Sequence, residues 1–453
     1  MKFTTDFLKQ MTQLFVAELD KHFEGEGDLG IADIELTMRE ALREVGNKSL
    51  GAFLTAEDAV YPAPRIACPC GGEAAYWGRR WGTIVSVFDR VEYRRAYYLC
   101  PTCREGRYPL DERLGLEPGQ VTAGLASLLA IAGVQTSFEE AKEVVARFLL
   151  VEVCGNTIRN ECQGFGRLQA GREQEWISSS QDAEGYRERQ RTVKERPKRV
   201  YGSLDGAQAP MKEGWREMKT GCWYEVERVP KKRMPAHRRD MVGEMGALRA
   251  KEISYYCDLE QASTFGELVW ATGCQKQADL AEEVVFVADG AAWIWKLVDF
   301  YYPDAVQIVD WFHAEEYLPP IAEKAFEQDQ ERQTQWLEQV KEDLWEGQVD
   351  NVIATCQELA KHPRAGPEAQ KASTYYTNNR KRLNYAEFRR DGYMIGSGIV
   401  ESACKQIVTN RLKRSGARWT EAGAKETAKA RAAWLSGQWN QLAAMRGHPN
   451  TLH

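Results

Sequence analysis

The chain has 453 residues, 43% of them hydrophobic, and a formal net charge of -6. Such a length exceeds one ordinary domain and predicts two to four. No apolar run reaches the length of a membrane span and the first residues lack the charged-then-apolar layout of a signal peptide, so a cytoplasmic protein without membrane contact is expected. The acidic balance excludes a chain coated in basic residues, and any nucleic acid must be met by local patches. The odd count of 11 cysteines fits ligands and core thiols better than a disulfide framework.

Apolar residues recur at helical spacing at Phe7, Met11, Leu14, Phe15, Leu19 and Phe23, and again from Ile31 to Val45, with Gly25, Gly27 and Gly30 between them. A helical hairpin over residues 1–60 is expected, there either to pack on the next domain or to self-associate. Residues 61–116 carry Cys68-Pro69-Cys70 and Cys100-Pro101-Thr102-Cys103 around a segment rich in aromatic and β-branched residues. Paired thiols on two turns at opposite ends of a small strand region can close a four-cysteine zinc site, with Cys68, Cys70, Cys100 and Cys103 as ligands of a structural Zn2+. The first pair is one residue shorter than the usual knuckle, and buried unliganded cysteines are the alternative.

From 117 to 180 the pattern is helical: Val121 to Ala132, Ser137 to Phe148, and a third helix from Gly155 with Asn156 or Thr157 as N-cap. This is similar to a helix-turn-helix, which would offer Thr157, Arg159 and Asn160 to base edges; a three-helix spacer has the same periodicity. Residues 181–198 read as a linker or a solvated helix. Strands are expected from Val200, near Trp223 to Val229, near Ile253 to Leu259, at Val284 to Ala288 and at Ala305 to Val309. The basic loop from Lys231, Lys232 and Arg233 to Arg239 is either a DNA contact or a solvated loop. Residues 315–392 are rich in Glu, Gln, Lys and Ala at helical spacing, with Trp336 and Trp345 as core aromatics or, alternatively, as platforms for an unstacked base. Lys405, Arg411, Lys413, Arg414 and Arg418 then make a basic helix suited to phosphodiester backbone, and residues 437–453 form a C-terminal tail.

Three acids stand out within this span. Asp205 follows the apolar run Val200 to Leu204, Asp289 follows Val284 to Ala288, and Glu401 lies in Gly396-Ser397-Gly398-Ile399-Val400-Glu401-Ser402. Two buried strands are thus expected to end in a carboxylate. Carboxylates brought together repel and would shift or lose their charge unless hard divalent cations neutralise them. Asp310-Trp311-Phe312-His313 follows the last strand, and His313 is expected to hydrogen-bond Asp310 and brace the strand end beside that site, with direct metal ligation as the alternative.

Ser203 to Ala207, Val287 to Trp295, Asp310 to Ala314 and Gly396 to Glu401, in this order, resemble the blocks of DDE transposases of the ISKra type, bacterial insertion-sequence enzymes related to the Mutator-like group. The resemblance covers roughly Tyr201 to Trp434. It implies a multidomain α+β protein: an RNase H-like α/β catalytic core at 199–314 and 393–436, interrupted by an all-helical insertion at 315–392 and preceded by the zinc module and the helix-turn-helix-like domain. It also implies catalysis by Asp205, Asp289 and Glu401 with two Mg2+ or Mn2+ ions, transposon-end and target DNA as partners, and a homodimer or larger assembly on DNA. A domesticated DNA-binding regulator and an RNase H-like nuclease without strand transfer are the rivals.

Overall fold

The computed structural model describes residues 5–23, 30–58, 63–117, 119–193, 195–233 and 247–447. It is a mixed α/β chain with two sheets, divided into two compact units, Met1–Leu168 with Asn440–His453 and Gln169–Trp439.

In the first unit, α1 (Thr5–Phe23) and α2 (Ile31–Glu57) form the expected hairpin. A four-stranded sheet follows in the order β1 (Arg65–Ala67), β2 (Glu73–Ser86), β3 (Asp89–Leu99) and β4 (Gly106–Arg107), all antiparallel. Leu54 of α2 packs with Ile84, Val91 and Tyr93 of the sheet and with Leu110 of α3 (Pro109–Leu114). Removing these side chains from water, at about 25 cal/mol per Å² of apolar surface, gives the small module a core besides its cysteines. Then come α4 (Ala123–Gln135), α5 (Phe138–Leu149) and α6 (Gly155–Gln181), closed around Leu125, Leu129, Val145 and Ile158. Thr122 and Ser137 cap α4 and α5 with their hydroxyls. The third helix begins at Gly155, ahead of the expected caps Asn156 and Thr157, because the Cys154 carbonyl already accepts from the N–H groups of Thr157 and Ile158.

In the second unit, α7 (Ala183–Thr192) occupies the segment expected as linker or solvated helix. A five-stranded sheet is built from β5 (Arg199–Met211), β6 (Gly214–Val229), β7 (Ala247–Asp258), β8 (Glu283–Ala288) and β9 (Val306–Val309). Its order is β7-β6-β5-β8-β9, with β5, β8 and β9 parallel and β6 and β7 antiparallel to their neighbours. Parallel neighbours need crossovers, and α8 (Ala262–Gln275) and α9 (Ala292–Tyr301) lie in them. Their apolar faces bury Phe265, Val269, Ile294 and Val298 against Trp223, Phe286 and Ile308 of the sheet. Gly202 is required at the sheet centre, since a Cβ there would stand 2.6 Å from the Phe286 ring.

After β9 comes α10 (Trp311–Glu315), and then α11 (Pro319–Ala325), α12 (Gln330–Trp345), α13 (Val349–Leu359), α14 (Gly366–Asn379) and α15 (Tyr385–Arg390) occupy the segment expected as an insertion. Trp345 meets Trp311 edge-on at 4.8 Å under the Arg389 guanidinium, and Trp336 packs on Phe326, so both indoles belong to the packing. The chain then enters α16 (Gly398–Cys404), a π-helical stretch Lys405–Thr409 and the short α17 (Asn410–Leu412). It ends with α18 (Glu421–Leu435) and α19 (Trp439–Gly447). Among the described residues no helix is long and apolar enough to cross a membrane.

Candidate active site and metal centre

Asp205 and Asp289 are brought level by strand register. Gly202 of β5 lies opposite Phe286 of β8, and each Asp stands three residues further on. Adjacent strands are about 4.8 Å apart, so the two carboxylates leave the same end of the parallel pair. Asp289 directly follows β8 as expected, but Asp205 does not end a strand. β5 continues to Met211 because β6 stays paired with it after β8 has run out, leaving Asp205 opposite Thr220. Asp205 accepts from the Gly206 N–H at 2.7 Å and Asp289 from the Ala291 N–H at 2.9 Å.

The third acid reaches this end from α16. Glu401 Oε1 lies 3.4 Å from His313 Nε2, and Glu316 Oε2 lies 3.6 Å from His313 Nδ1. The expected bond from the His313 ring to Asp310 is therefore absent. Asp310 instead accepts from the backbone N–H of His313, capping α10, and from the backbone N–H of Ser397 just before α16. Wholly buried, it fastens the loop that presents Glu401 to the helix that presents His313.

Burial raises the Asp289 carboxyl, and the charge of Asp205 raises it further, against the Ala291 N–H and His313. Glu401 is likewise raised, by burial and then by Asp310 and Asp205, with His313 opposing. The three acids and the histidine thus share one electrostatic environment. Sequence reasoning missed Glu217 of β6, whose charge also acts on Asp289, whose Oε1 lies over Gly206, and which pairs with Lys219 at 3.0 Å. It also missed a cleft of ≈ 470 Å³ beside Asp289 and His313, walled by Tyr317, Tyr375, Lys371 and Glu368. There Tyr317 stacks on Tyr375 with ring centres 4.1 Å apart, and Tyr375 fills the space a side chain at Gly290 would need. The only sequence signal for the cleft is the Gly after Asp289.

The four cysteines form a second centre. Cys68 Sγ is 3.6 Å from Cys103 Sγ, Cys70 Sγ is 3.6 Å from Cys100 Sγ, and all four sulfurs lie within 4.8 Å of one another. Four ligands at about 2.3 Å around one ion stand roughly 3.8 Å apart, so the group could hold a metal such as zinc. The short Cys-x-Cys spacing works because Gly71, at φ 85°, turns the chain so that the Cys68 N–H reaches the Gly72 carbonyl. Backbone N–H groups of Cys103 and Thr102 pull the Cys100 thiol down, toward the thiolate a metal needs, while burial and the crowded sulfurs of Cys70, Cys100 and Cys68 push Cys103 up. Among the described residues no other Cys, His, Asp and Glu cluster converges so closely, and the acidic trio does not.

The expected DNA contacts divide. Arg159 and Asn160 are exposed on α6, while Thr157 is half-buried with its hydroxyl 3.3 Å from Cys154 Sγ. The basic helix expected over Lys405 to Arg418 ends at Leu412, so Lys413, Arg414 and Arg418 stand beyond it; Lys405, Lys413 and Arg418 are exposed and Arg414 is half-buried. Arg411 is only 2% exposed and lies over the Trp419 ring, so packing takes it out of reach of a phosphate. Lys429 and Arg431, further along the same basic run, are also buried. Lys231 is half-buried and Lys232 exposed; the side chain of Arg233 and the loop at 234–239 lie outside the described residues. Comparison with protein-family models and with curated proteins returned no match to the chain.

Proposed function

We propose that the chain is a DDE transposase that cuts and joins DNA strands, with Asp205, Asp289 and Glu401 as its catalytic carboxylates. The observation that carries this reading is the level register of Asp205 and Asp289 on neighbouring parallel strands, with Glu401 and His313 facing the same end. The strand order β7-β6-β5-β8-β9, with helices interposed before the Glu-bearing helix, is compatible with an RNase H-like core and supports it.

An all-oxygen donor set suits Mg2+ or Mn2+, and the raised Asp289 and Glu401 carboxyls are strained in the way a cation relieves. Two such cations, held by Asp205, Asp289 and Glu401, would supply activation of the attacking oxygen and stabilisation of the leaving 3'-oxygen. His313 holds the Glu401 carboxylate toward the Asp pair. Asp310 fixes both backbones, and the cleft leaves room beside Asp289 for a substrate strand. We read the four-cysteine ion as structural zinc. The helix carrying Arg159 and the bend at Lys413 just after α17 serve the element ends, and joining two ends requires at least a dimer.

The test is a labelled element end incubated with Mg2+ and a target plasmid. Nicking followed by joining is expected of the natural chain, and neither of Glu401→Gln, with binding retained. Binding alone would identify a regulator, and nicking without joining a nuclease.

A further inference from the structure

Cys404 closes α16, three residues after Glu401, and is 7% exposed. Residues three apart are neighbours on a helix surface, so the side of α16 that presents Glu401 also carries this thiol. The helix packs on both β5 and β6. Its sulfur comes down at Asp205 and Thr220, which stand directly opposite each other in the register of those two strands, and lies within hydrogen-bonding reach of both side chains.

Two features mark this contact as more than packing. Thr220 is wholly buried, and its hydroxyl bonds no oxygen or nitrogen among the described residues, which leaves the Cys404 sulfur as its acceptor. A buried hydroxyl is costly to leave unpaired, and a sulfur that accepts from Thr220 has its own hydrogen left for the carboxylate. The second feature is the state of Asp205. Its Oδ1 accepts from the Gly206 N–H of its own strand, so a bond from Cys404 is what would tie it to the helix that bears Glu401. A thiol suits the place. An S–H is a weak donor; it can aim a carboxylate without drawing off the charge a cation needs, and groups bonded to metal ligands in this way govern affinity for the ion.

We propose that Cys404 is a positioning residue for Asp205: it accepts from the Thr220 hydroxyl and donates its S–H to the Asp205 carboxylate, so that α16 sets the places of two of the three acids. The assignment rests on the reading of Asp205 and Glu401 as cation ligands. A cysteine present only as a small apolar filler would make neither bond, and any side chain of its size would replace it.

The experiment uses the full zinc-loaded chain and two readouts, neither of them cleavage. The infrared S–H stretch that disappears in Cys404→Ser isolates this thiol. It should lie below the stretch of an unbonded thiol and move up in Asp205→Ala, which removes the acceptor. A band that ignores Asp205→Ala would overturn the assignment, whatever the chain does with DNA. The second readout is titration with Mn2+, followed by the electron-spin signal of the free ion. Cys404→Ala should weaken the Asp205-dependent binding by about tenfold or more, and Cys404→Ser, which restores a donor, should recover most of the loss, with both variants melting close to the natural chain. Undiminished affinity in Cys404→Ala, or Ser no better than Ala, would overturn the positioning role and leave the transposase reading in place. Mn2+ binding that Asp205→Asn does not diminish would instead remove Asp205 as a ligand, and both readings would fall. Should Cys404→Ala fail to fold, the infrared band and Cys404→Ser decide the matter.

Discussion

Asp310 shows how one residue can organise a site without reaching the substrate. Its two oxygens accept from the N–H groups of His313 and Ser397, which are far apart in sequence and belong to the two segments that aim His313 and Glu401. Asp310→Asn keeps the shape but turns one acceptor into a donor facing an N–H. A buried group left unsatisfied costs about 1–3 kcal/mol, so thermal stability should fall and cleavage should drop with DNA binding intact. Asp289→Asn should do the opposite to stability. An acid whose folded pKa is raised binds its proton more tightly when folded, so its favourable contribution is complete below the unfolded value, about 3.9, and is lost as pH rises through the folded value. Metal-free Asp289→Asn should therefore melt above the natural chain at neutral pH, by a margin that shrinks toward pH 4. Melting curves across pH check this, and a margin that grows on acidification would contradict the assigned strain.

At the scale of elements, the sequence was most informative where periodicity and apolar runs were long. The N-terminal hairpin, the three helices after the cysteines and the strand before Asp289 stand where the residues put them. Asp205 was misjudged as a strand end because apolarity stops at Leu204 while backbone pairing with β6 does not. Hydrogen bonds between strands leave no mark on side-chain polarity. The basic run after Lys405 misled for a related reason: charge in a sequence reads as exposure, yet Arg411 finds Trp419 and Lys429 finds Asp258 inside the fold. The surviving contrast is between α6 and the exposed lysine at 413. Arg159→Ala should lose about 1–3 kcal/mol of discrimination for the element end. Lys413→Ala should weaken all sequences alike and flatten the salt dependence. Titrations on end and scrambled DNA across a salt series separate them, and equal losses from Arg159→Ala on both DNAs would remove α6 as the reader.

For the whole molecule, the chain divides into two compact units, with a four-cysteine cluster that could hold a metal in one and a buried ion cluster in the other. In the second unit, Lys429 is 2% exposed and bonds Glu173 of α6 and Asp258 at the end of β7, where Lys425 joins at 2.8 Å from Asp258. Lys429→Met would leave two acids buried around a methyl group, and breaking a buried pair in this way costs about 3–5 kcal/mol. In the first unit, taking away the zinc proposed for the four cysteines would leave their sulfurs, all within 4.8 Å of one another, without the ion's charge. Calorimetry should resolve these two perturbations. A chelator should lower the transition of the cysteine-bearing unit and spare the other, whereas Lys429→Met should lower the transition of the five-stranded unit and leave the effect of the chelator unchanged. If both treatments shift one common transition, the units unfold together and the metal acts on the whole chain; if chelation shifts nothing in protein verified to carry zinc, the ion holds no part of the fold.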